Sequence, residues 1–139
     1  MSLKRKDSIV RDAWQPTADD VREWAFSTSD PWSDHPCEDW PLALAWSRHE
    51  IALLELASDD SCPSREFMVF VLYFAVGHAV HQDFKSVPKA VIEGFVRRGV
   101  ESTHQDVQCW TQCCWNLLQD TDKFNYQHWC GGQYANIAT

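Results

Sequence analysis

Phe67-Met68-Val69-Phe70-Val71-Leu72-Tyr73-Phe74-Ala75-Val76 is a run of ten apolar side chains in a chain of 139 residues. No polar face interrupts it, and an element apolar all round must be enclosed by others to stay out of water. Its β-branched and aromatic content would also suit a buried strand. Helix is preferred, because Ser61 or Cys62 offers a cap and Pro63 suits the first helical turn. The flanking segments also repeat their apolar residues at helical spacing. The run therefore predicts a central hydrophobic helix over about residues 63–82. It falls well short of the roughly 20 apolar residues that cross a bilayer, so no membrane segment is expected.

Upstream, Pro16-Thr17-Ala18-Asp19-Asp20 reads as a helix start. Thr17 can cap, and the two aspartates place negative charge at the positive end of the dipole. Val21, Trp24 and Ala25 share one face, and the helix should stop near Ser27. Ser29-Asp30-Pro31-Trp32-Ser33-Asp34-His35-Pro36 is dense in breakers, so it predicts a loop with Trp32 and His35 partly exposed. Asp39 before Trp40-Pro41 is a further N-cap candidate. Ser47-Arg48-His49-Glu50 fits a capping box, with Trp46 and Ile51 placed as a hydrophobic staple. Those signals suggest two helices broken near Ser47. A single helix over 40–58 would still be amphipathic, with Leu42, Ala45, Trp46, His49, Leu53 and Leu56 on one stripe. Local signals leave both open.

Downstream, Ser86-Val87-Pro88 opens a helix with Val91, Ile92, Phe95 and Val96 as its buried stripe. Arg97 and Arg98 suit its last turn, and Gly99 a left-handed C-cap. Ser102 or Thr103 starts the next helix, with Val107, Trp110, Cys114, Leu117 and Leu118 facing inward. Phe124 to Trp129 suggests a short helical turn closed by Gly131-Gly132. The expected fold is all-α, a single domain over 1–139 built as a bundle or array of five to six helices. Residues 1–11, with Lys4, Arg5, Lys6 and Arg11, are expected to be a frayed basic terminus.

Charge is unevenly spread. The formal net charge is −8, yet residues 12–60 carry twelve acids against Arg22 and Arg48. Such a body repels phosphate backbones, which argues against nucleic-acid binding and points instead toward a basic protein partner. No apolar signal segment follows the basic start, which gives a cytoplasmic address as the default. In that setting the six cysteines are expected to be reduced.

His104-x4-Cys109-x3-Cys113-Cys114 is the run most suggestive of a metal site. Cys109 and Cys113 lie roughly 40° apart on a helix, but His104 falls roughly 140° away, and a second ligand pair is not evident. His78 and His81 sit three apart at the end of the central helix, without the glutamate that di-metal bundles place three residues before each histidine. Core packing is the plainer role for these thiols, and dipole and packing for these imidazoles. His49, set in an apolar stripe, reads as a hydrogen-bonded core histidine. Among eight tryptophans, Trp46 and Trp110 point to the core, whereas Trp115 lies roughly 140° from Trp110 and should meet a second surface. Tryptophan is enriched in binding hot spots. No phosphate loop, H-E-x-x-H, nucleophile elbow or EF-hand run is present in the sequence.

These features favour a non-enzymatic helical protein acting through its surface as an adaptor, inhibitor or subunit, with no cofactor. Trp32, His35, His78, His81 and Trp115 are its candidate binding residues. A homodimer through Trp115 is a further form of this reading. The alternative is a metal-binding or thiol-dependent site built from His78, His81, Cys109 and Cys113.

Overall fold

The computed structural model describes residues 12–124 and Trp129. The protein is all-helical. Its α-helices are α1 (Ala18–Ser27), α2 (Trp40–Trp46), α3 (Glu50–Ala57), α4 (Arg65–His81), α5 (Lys89–Arg98) and α6 (Gln105–Gln119). Short 3-10 turns follow at Gly99–Glu101 and Thr121–Lys123, and no strand occurs among the described residues. The chain forms two compact units that divide between Val71 and Leu72, inside α4.

In the first unit, Thr17 caps α1 as its spacing predicts. Its hydroxyl accepts from Asp20 N and the Asp20 carboxylate accepts from Thr17 N, each at 3.0 Å, closing a capping box. Val21, Trp24 and Ala25 are buried, and α1 packs on α3, which is buried at Ala52, Leu53, Leu54, Leu56 and Ala57. Residues 40–58 form two helices, but not through the expected box. Ser47 instead closes α2 as its C-cap with helical backbone angles, its hydroxyl donates back to Leu44 O at 2.7 Å, and Arg48 takes the left-handed conformation at φ 63°. That reversal ends the continuous stripe. Trp46, expected in the core, is instead 47% exposed and leans on Trp14 with ring centroids 6.2 Å apart. Asp39 precedes α2 without a side-chain cap bond. His49 Nε2 donates to Pro16 O at 2.9 Å, the hydrogen bond expected of a half-buried histidine.

The apolar run is helical, as read. The helix that carries it, α4, contributes buried Phe67, Met68, Val69 and Val71 to the first unit and buried Leu72, Tyr73, Val76, Ala79 and Val80 to the second. The helix begins at Arg65 rather than at Pro63. It ends where Asp83 and Phe84 both turn left-handed, with Asp83 N donating to Val80 O and Phe84 N to Ala79 O at 2.9 and 2.8 Å. This pair of bonds is a Schellman closure made without glycine.

In the second unit, α5 packs on α6 and Phe95 meets Trp110 edge-on at 5.1 Å. Ile92, Phe95 and Val96 are buried, whereas Val91, expected with them, is exposed. Gly99 is not left-handed. Its φ is −64°, and its lack of a side chain serves contact: a Cβ there would run into Thr111 Oγ1 and come within 2.8 Å of the Trp110 ring. The next helix starts at Gln105, past Ser102 and Thr103, with the Ser102 hydroxyl accepting from His104 N at 3.2 Å. Val107, Trp110, Cys114, Leu117 and Leu118 are buried as read. The basic residues 1–11 and the turn expected over 124–132 lie outside the described residues, apart from Phe124 and Trp129. Trp129 is buried and donates its indole N–H to Tyr73 O at 2.8 Å.

Candidate functional site: the Trp32 loop and its pocket

Between α1 and α2 the breaker-rich segment is held by its own polar groups. The Asp30 carboxylate accepts from Trp32 N at 3.0 Å and from the Ser33 hydroxyl at 2.7 Å, and its carbonyl accepts from Asp34 N at 2.8 Å. The Ser33 bond first, then the Trp32 bond, holds the Asp30 carboxyl below its ordinary range, since both favour the charged form. The Thr28 hydroxyl donates to Asp34 Oδ2 at 2.8 Å, and Trp24 donates its indole N–H to Asp34 O at 2.9 Å. His35 Nε2 lies 2.8 Å from Pro31 O, which can only accept, so Nε2 carries the proton. The loop is thus fixed before any ligand arrives.

What it presents is Trp32. The indole stands edge-on to Phe67 at 5.1 Å and tilted over Phe70 at 5.5 Å, yet remains 48% exposed. Phe67 is itself buried and also meets Trp24 and His35 at 5.4 and 5.5 Å. Beside Trp32 opens a pocket of about 450 Å³ lined by Pro31, Trp32, Cys62, Pro63, Arg65, Glu66 and Phe67. Its floor is anchored. Ser64, buried, donates to Ala25 O at 2.7 Å, and Arg65 donates to Ala57 O at 2.9 Å. Burial pushes the Cys62 thiol up, so the pocket presents a neutral sulfur rather than a nucleophilic thiolate.

The other candidate residues belong to the second unit. His78 is half-buried beside Phe74, ring centroids 6.1 Å apart, while His81 is exposed. Burial, then the neighbouring His81, lowers the His78 pKa. The buried Tyr73 hydroxyl lies against the Cys113 thiol, with Cys109 and Cys114 close by. Burial raises Tyr73, Cys113 and Cys114 alike, which keeps all three protonated at neutral pH. The described cysteines Cys37, Cys62, Cys109, Cys113 and Cys114 are free thiols. Among the described residues no three His, Cys, Asp or Glu side chains converge in a way that could hold a metal ion. Trp115 does meet a second surface, which is intramolecular: the Arg97 guanidinium lies over its ring at 5.6 Å. No helix among the described residues is long and apolar enough to cross a membrane.

Within the first unit the structure brings Trp32 and His35 together around Phe67; His78, His81, Cys109 and Cys113 belong to the second unit. Sequence reading finds the loop and its tryptophan but misses the pocket's other walls. Pro63 and Cys62 read as helix-start residues and Phe67 as core, and no local signal shows that a loop some 30 residues earlier folds onto them. Comparison with known protein families, characterised proteins and solved structures finds no match for this chain.

Proposed function

We propose that this protein works by binding another protein, and that the partner is basic where it meets the first unit. Between Asp12 and Glu66 there are thirteen carboxylates and three arginines. Each arginine is already engaged: Arg22 with Asp19 at 3.2 Å and Glu55 at 3.6 Å, Arg48 with Glu50 at 2.7 Å, and Arg65 with the Ala57 carbonyl. The surplus negative charge, including exposed Glu23, Glu38, Asp39 and Glu66, is left for the surroundings. The observation that carries the reading is that this charge shares a unit with a half-exposed tryptophan on a fixed loop. Charge of this kind accelerates and selects encounters, and a rigid aromatic supplies affinity at small ordering cost. The free thiols suit a reducing, cytoplasmic setting.

The test is reconstitution. A partner recovered at low salt should re-form the complex from purified components, weaken as salt rises, and bind a Glu38→Lys/Asp39→Lys variant less well. A partner that binds both forms equally and ignores salt would overturn the reading.

A further inference from the structure

We propose that the pocket beside Trp32 seats a cationic side chain of that basic partner, an arginine in preference to a lysine. The proposal rests on the reading of this protein as a binder of basic proteins, and it locates the anchor.

Four observations converge on a cation. The Trp32 indole packs on Phe67 and Phe70, remains 48% exposed and lines the pocket. An indole face attracts a positive charge through its quadrupole. Glu66, on the same wall, is exposed and has no ion pair or hydrogen bond among the described residues. It therefore stands ready for a donor. The pocket's own cation, Arg65, is drawn back to the Ala57 carbonyl at 2.9 Å, so it leaves Glu66 unneutralised. Finally, the excess of carboxylates in this unit favours a cation and opposes an anion throughout the pocket.

Arginine fits better than lysine for geometric reasons. A planar guanidinium can lie flat on an indole while its fork of N–H groups reaches a carboxylate, whereas an ammonium is a strongly hydrated point charge. Pro31 and Pro63 supply apolar walls for the methylene stem. Because Asp30 and its partners fix the loop, the indole needs no rearrangement to receive the group.

The probes are acetylated tetra-arginine, tetra-lysine and tetra-glutamate amides, titrated into the full chain at low salt. Binding is followed by the Trp32 indole N–H and Glu66 amide resonances. Tetra-arginine should shift both resonances and tetra-lysine should bind more weakly, while tetra-glutamate leaves them unmoved. Trp32→Ala should weaken tetra-arginine by about tenfold, the scale of a partly desolvated cation–π contact. Glu66→Gln, which leaves the aromatic packing intact, should weaken it several-fold. Unchanged affinity in both variants, with binding lost instead in Glu38→Lys/Asp39→Lys, would overturn the pocket while sparing the basic-partner reading. No binding of either basic peptide would overturn both.

Discussion

Thr17 and Gly99 show how differently two single residues can be constrained. The Thr17 hydroxyl has one task, to satisfy a backbone N–H that α1 leaves without an internal partner. Thr17→Ala is expected to lower stability by about 1 kcal/mol, read from the denaturant midpoint. An unchanged midpoint would show that water replaces the cap at no cost. This residue was legible in sequence because its partner, Asp20, is three positions away. Gly99 was not, since Arg97-Arg98-Gly99 has the composition of a helix end while the true constraint comes from Trp110 and Thr111 on α6. A methyl group there must displace an indole or a hydroxyl, so Gly99→Ala should cost about 1–3 kcal/mol as an overpacking defect. A left-handed cap would instead predict a loss without any change around Trp110. The Trp110 indole resonance, which should move, separates the two.

Among the elements, the ends of α2 and α4 are set by backbone conformation rather than by composition. Arg48 at φ 63° and Asp83 and Phe84 at φ 56° and 57° occupy a region that costs a residue with a Cβ roughly 1–2 kcal/mol. Neither site carries the glycine that usually advertises such a turn, which is why the break near Ser47 was legible only as one of two readings. The same absence hid the closure of α4. Asp83→Gly should relieve the strain at the first left-handed residue. Stability is expected to rise by about 1 kcal/mol or somewhat less, because glycine also enlarges the unfolded ensemble. Thermal melting of the single variant checks this, and a fall in midpoint would mean that the aspartate side chain itself stabilises the turn. Helix identity was legible throughout, since periodicity is local. The pocket was legible only in its loop, since its remaining walls depend on which segments meet.

Across the whole molecule, acid sensitivity follows from the histidine at the end of α4. His78 has its pKa lowered in the folded protein by burial and by His81, so the unfolded chain takes up this proton first. The group leaves stability untouched well above its ordinary pKa of about 6.5 and subtracts from it as pH falls through that value, until the folded form also protonates. The urea midpoint should therefore drop between pH 7 and pH 5, and a His78→Gln variant should drop less. Equal drops would remove His78 from the account. Asp30 and Asp59, held low by hydrogen bonds from Ser33 and Ser61, act in a more acidic range, their contribution vanishing as pH falls through their folded values.

Trp40 and Trp110 are fully enclosed, and neither indole N–H finds an acceptor among the described residues. An excited indole in dry, non-relaxing surroundings emits toward the blue, whereas the half-exposed Trp14, Trp32 and Trp46 emit toward the red. Buried indoles lie on both sides of the Val71–Leu72 division, Trp24 and Trp40 on one and Trp110 and Trp129 on the other. Replacing Trp24 and Trp40 together, or Trp110 and Trp129 together, with phenylalanine leaves the buried indoles of the other unit as its optical marker, so the colour of the emitted light reports whether the two melt as one or in turn.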